Sequence, residues 1–125
     1  MQGYLVVFLG AGIGGAARHG VNAAALRLIG SGFPYGTLAV NIAGSLAMGL
    51  LAGWFAYKGH PGESWRLFLT TGILGGFTTF SAFSLDAALL YERGQLGAAA
   101  LYIAASVVLA LASLFVGLFF VRILI

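Results

Sequence analysis

The chain has 125 residues, 61% of them hydrophobic and only 7% charged, whereas an ordinary soluble domain carries about 25% charged residues; with a mean hydropathy of +1.03 its surface cannot face water, and it reads as an all-α membrane protein. It has no cysteine, and its two histidines, His19 and His60, lie far apart with few carboxylates to join them, so thiolate, zinc and haem sites are excluded and no enzyme is expected. The net charge of +3 comes from Lys and Arg residues scattered singly, which form no patch for nucleic acid and meet lipid headgroups instead.

A bilayer-crossing helix needs roughly 20 mainly apolar residues, and polar punctuation divides residues 1–125 into four such stretches within a single domain. The first, 4–28, is longer than the ~7–15-residue apolar region of a signal peptide and lacks a basic start, so it is read as a retained helix. Its Gly10 and Gly14 form a strip along which another backbone can approach, within the subunit or in a partner. Arg18 either snorkels to headgroups or guides anions into a vestibule, while His19 and Arg27 read as interfacial. A turn at 30–36 with Pro34 leads to the second span, 38–57, where Gly49 and Gly53 repeat the glycine strip. Thr37, Asn41 and Ser45, each four residues from the next, share one helix face.

Trp54 and Trp65 flank the second connection, 58–64, as an aromatic belt. The third span, 67–90, contains Gly72, Gly75 and Gly76 followed by Phe77, Thr78, Thr79, Phe80, Ser81, Ala82, Phe83 and Ser84. Adjacent glycines and β-branched threonines weaken a continuous helix, so a break near mid-membrane is expected there. Irregular backbone at that depth is tolerated only inside protein or along a cavity, where freed carbonyls can coordinate ions. Phe80 and Phe83, three apart, project from one face; they either pack or present positive ring edges to a small anion. After a connection at 92–95, the fourth span, 97–124, carries Tyr102, Ser106 and Ser113 on a single stripe. The two polar stripes either line a path for a weakly held anion or bond helix to helix.

Four spans put both termini on one side, with Lys58, Arg66 and Arg122 there and Arg18, Arg27 and Arg93 opposite. Because Lys and Arg bias fixes orientation, the balance predicts insertion in both directions, unless a deep residue such as Arg18 should not be counted. Four helices hardly enclose a path alone, so an antiparallel two-fold dimer is the simplest closed assembly. Two mid-membrane breaks would meet near its axis, where facing carbonyl oxygens suit a structural Na⁺. A small proton-coupled multidrug exporter can share this architecture, but it needs an acidic residue deep in the first span, and none is present. Glu63 and Glu92 fall in loops; Asp86 reaches the interface or pairs with an arginine.

The strings GGAAR (14–18), GTLAVN (36–41) and GGFTTFSAFS (75–84) resemble the Fluc (CrcB) fluoride-channel family of bacteria, and the likeness spans almost the whole chain. The resemblance implies a multi-pass protein of the bacterial inner membrane, a dual-topology homodimer with two antiparallel pores, a central Na⁺, and passive export of fluoride with rejection of chloride. It places Phe80, Phe83, Asn41, Thr37, Tyr102, Ser106, Ser81 and Thr79 in the fluoride pore and Arg18 at its entrance. Main-chain oxygens of Gly75 and Thr78 would hold the Na⁺. Where some relatives carry a second serine on the fourth span, this chain has Ala110, with Ser113 nearly a turn further on.

Overall fold

The computed structural model describes residues 2–59 and 62–124; His60 and Pro61 of the second connection lie outside the described residues. The regular structure in them is entirely helical: α1 (Gln2–Leu28), α2 (Tyr35–Lys58), a third span assembled from α3 (Glu63–Leu67), a π-helical segment (Phe68–Leu74), α4 (Gly75–Phe77) and α5 (Phe80–Glu92), and finally α6 (Leu96–Leu124). All four spans are long and apolar enough to cross a membrane. Glu63 and Glu92, expected in loops, instead open α3 and close α5, because a helix continues through polar residues at the interface until a glycine or proline stops it. At Gly94, with φ +79°, the stop is a Schellman turn: Gly94 N–H donates to the Tyr91 carbonyl and Gln95 N–H to that of Leu90, each at 2.9 Å.

The spans pack in parallel pairs, first with third and second with fourth. Glycine decides both seams. A Cβ on Gly10 would lie 2.7 Å from the Phe68 carbonyl oxygen, and one on Gly14 would meet the Ile73 carbonyl and the Phe77 nitrogen. In the other seam, Gly49 faces the Leu114 backbone, Gly53 faces Val121, and a Cβ on Gly117 would stand 2.6 Å from the Leu46 carbonyl oxygen. The glycine strips therefore serve contacts within one subunit, the first of the two alternatives that their spacing left open. Between the seams, α5 meets α6 through Phe83, Leu90, Ala99 and Tyr102. Large apolar side chains such as Phe8, Leu101, Phe115 and Ile123 stay exposed, as expected where lipid tails replace water and outward-facing carbon costs nothing.

Of the glycines and threonines expected to weaken the third span, it is the threonines that leave the helix. Gly75 and Gly76 remain helical, whereas Thr78 (φ −90°, ψ 156°) and Thr79 (φ −154°, ψ 122°) are extended. Gly72 and Gly76 serve close approach instead: a Cβ would come 3.1 Å from the Gly10 Cα at the former and 2.5 Å from the Ala11 carbonyl oxygen at the latter. Gly14→Ala should therefore cost about 1–3 kcal/mol through overpacking and lower the melting temperature of the detergent-solubilised protein. Gly12→Ala, whose Cβ meets nothing within 4 Å, should leave that temperature unchanged or raise it.

Candidate functional site

The extended residues open a groove of about 420 Å³ between α2, the third span and α6, lined by Asn41, Ser45, Thr79, Phe80, Phe83 and Ser106 among others. Its irregular wall is held by side chains. Asn41 pairs with the Thr79 peptide on both edges, donating from Nδ2 to the Thr79 carbonyl (3.1 Å) and accepting at Oδ1 from the Thr79 N–H (2.8 Å). The Thr79 hydroxyl caps α5 by accepting from Ala82 N–H at 3.1 Å. Thr78 anchors the preceding turn, its hydroxyl donating to the Leu74 carbonyl at 2.8 Å, and its methyl lies where a Cβ on Gly44 would be. A continuous helix would aim Thr79 N–H at the Gly75 carbonyl and Ala82 N–H at the Thr78 carbonyl. Both donors are turned elsewhere.

Inside the groove, the rings of Phe80 and Phe83 are 5.5 Å apart and tilted by 45°. Phe83 is buried and Phe80 is 78% exposed. Ser106 is 6% exposed, and its hydroxyl has no hydrogen-bond partner among the described residues. Asn41, expected to offer its amide to a passing anion, spends one N–H and its oxygen on Thr79, which leaves a single N–H for any ligand. Ala110 lines the wall, and Ser113 is not among the lining residues.

Gly75 does not line the groove, and four residues expected in the pore or at its entrance also lie elsewhere. Thr37 lines a separate cavity of about 340 Å³ together with Asn22, Asp86 and Arg93. Tyr102, fully buried, stands between the two spaces, 5.3 Å from the Phe83 ring and edge-on to Phe33. Its hydroxyl donates to Asp86 Oδ2 at 3.1 Å, so Asp86 is held by a tyrosine, and among the described residues no arginine pairs with it. Ser81 is exposed, with its hydroxyl 3.3 Å from that of Thr79, and Arg18 donates from Nε to the Gly76 carbonyl at 3.0 Å, lining neither space. Gly44 and Asn22 went unnoticed in the sequence. The first could have been found from its position one turn after Asn41 on the same face, and the second as an amide within a membrane span.

Residues 5–118 match the family described as "CrcB-like protein, Camphor Resistance (CrcB)". The chain belongs to the CrcB family. Among its relatives, the protein of Methylobacterium nodulans named Fluoride-specific ion channel FluC is 64% identical over 98% of both chains. Those of Rhodopseudomonas palustris and Granulibacter bethesdensis carry the same name. The former is 60% identical over 95% of this chain and 96% of its own, the latter 56% over 100% and 98%. With four spans, this CrcB-family chain is a multi-pass membrane protein.

Asn41→Asp should loosen the groove, because it replaces the Nδ2 donor with an oxygen facing the Thr79 carbonyl, a loss of about 1–3 kcal/mol. Hydrogen exchange at the Thr79 amide should then accelerate about tenfold for each 1.4 kcal/mol lost.

Proposed function

We propose that this chain is a fluoride-selective channel that releases F⁻ passively from the bacterial cytoplasm and works as an antiparallel dual-topology homodimer with two pores. The observation that carries this reading is the Ser106 hydroxyl, buried and without a partner among the described residues, in the groove that Phe80 and Phe83 also line. An unpaired buried donor costs about 1–3 kcal/mol, so the groove favours an occupant that accepts a hydrogen bond. The name carried by the relatives, Fluoride-specific ion channel FluC, supports fluoride as that occupant. Uncharged donors and aromatic edges hold an anion without the deep binding that an arginine would impose, which keeps it mobile.

The open flank of the groove supports the dimer. Phe80 lies largely uncovered at its rim, and a second copy with its own Phe80 would close the space against lipid. The charges support two-way insertion: with Arg18 bound within the protein, Lys58, Arg66 and Arg122 face Arg27 and Arg93, a margin that fixes orientation only weakly. In this arrangement the extended Thr78 and Thr79 lie at mid-membrane and meet their counterparts near the two-fold axis. The Gly75 and Thr78 carbonyls, whose helical donors are turned to Asn41 and Thr79, are the neutral oxygen set that a structural Na⁺ takes. When bound, the cation neutralises those carbonyl dipoles and ties the two subunits together.

The driving force needs no ATP or proton coupling. HF enters as a neutral acid and ionises in the cytoplasm, and an inside-negative potential then pushes F⁻ outward by about 2.3 kcal/mol per 100 mV. In liposomes loaded with fluoride, wild-type protein should release the ion once a potassium ionophore balances charge, with no pH gradient and no comparable release of chloride. Phe80→Ile and Phe83→Ile should each stop the flux while the dimer persists in detergent. Normal flux in the double variant would remove the ring-edge role. Release that needs a proton gradient would replace a channel with an exporter.

A further inference from the structure

Arg18 stands about 15 Å short of Leu28, the last residue of α1, at 1.5 Å per residue. At that depth a guanidinium needs partners, and among the described residues no carboxylate pairs with it; the one ion pair is Arg66 with Glu63. It lines neither cavity. What it does touch is backbone. In a continuous helix the Gly76 carbonyl would accept from the Phe80 N–H, but Thr78 and Thr79 are extended and Phe80 opens a new helix. Arg18 Nε occupies the position of that lost donor, at 3.0 Å. The approach is tight on either side, with Gly14 of α1 against Ile73 and Phe77 and Ala11 of α1 against Gly76.

We propose that Arg18 is a positioning residue: its Nε–H takes over the backbone donor that the Gly76 carbonyl loses, and so fixes the turn from which Thr78, Thr79 and Phe80 are presented to the groove. Its hydrogen bond, more than its charge, is what the site requires. The transport readout of this inference rests on the fluoride-channel reading; its backbone readout does not.

The two roles separate by substitution. Arg18→Gln places an uncharged N–H donor the same number of bonds from the backbone as Arg Nε, Arg18→Met removes both donor and charge, and Arg18→Lys keeps the charge but carries its N–H donors one bond further from the backbone. Fluoride release from liposomes is expected to stay within about threefold of wild type for Gln and to fall at least about tenfold for Met, the scale of one charge-assisted hydrogen bond. Hydrogen exchange at the Thr79 and Ala82 amides, measured in detergent without fluoride, should quicken by a similar factor in the Met variant and match wild type in the Gln variant. Gln as impaired as Met beside a normal Lys variant would overturn the proposal in favour of anion attraction. A Met variant that conducts and exchanges like wild type would remove any role. Should Met fail to fold, Gln against Lys still decides. If wild-type protein releases no fluoride, the channel reading fails, whereas the exchange comparison still judges Arg18.

Discussion

A polypeptide inside a lipid bilayer must satisfy its own backbone, because the hydrocarbon offers no hydrogen bonds. Helices do this automatically, and most of this chain obeys by staying helical. The exception is Thr78 and Thr79, where the ladder is abandoned. Three side chains repair the damage there. Asn41 serves both edges of the Thr79 peptide, the Thr79 hydroxyl caps the helix that follows, and Arg18 supplies the Gly76 carbonyl. They come from the first three spans, so the irregular turn is a property of the assembled bundle and not of the third span alone.

The repair works only because the helices are close. A short side chain reaches a neighbouring backbone only where the axes approach tightly; the glycine seams bring α1 onto the third span at Gly10 and Gly14, and α2 onto α6 at Gly49, Gly53 and Gly117. Gly44 does the same locally by admitting the Thr78 methyl. Without lipid-phase hydrophobic driving force between helices, such backbone contact and the hydrogen bonds it permits are the main source of association. Packing and polar repair therefore reinforce each other: the seams position the donors, and the donors hold the one stretch that does not pack as a helix.

The polar residues divide into two groups by whether their protons are already spent. Tyr102 gives its only proton to Asp86, and Asn41 gives most of its capacity to Thr79; both shape the walls. Ser106 gives its proton to no partner among the described residues and lines the groove with the two phenylalanines. In the proposed channel a strongly hydrated anion needs both kinds, since a rigid frame keeps donors from collapsing onto one another and a few unspent donors replace the lost water. The Tyr102 ring touches Phe83 and its hydroxyl touches Asp86, which joins the groove mechanically to the cavity at Thr37 and Arg93.

Composition and polar spacing were enough to fix a four-span helical membrane chain, the shared face of Thr37, Asn41 and Ser45, and an irregular third span, because bilayer thickness and helical period act on the sequence directly. The resemblance carried by GGFTTFSAFS pointed to the family that residues 5–118 match. Spacing along one helix does not say what stands opposite it, and there only the tertiary structure decided. It turned the glycine strips inward, confined the loss of helix to the threonines of the glycine-threonine string, bound Arg18 to a carbonyl and Asp86 to a tyrosine, and left the Ser106 hydroxyl without a partner among the described residues. Each of these outcomes depends on which backbone atom of another span lies within hydrogen-bonding or van der Waals reach, a distance that no linear pattern contains.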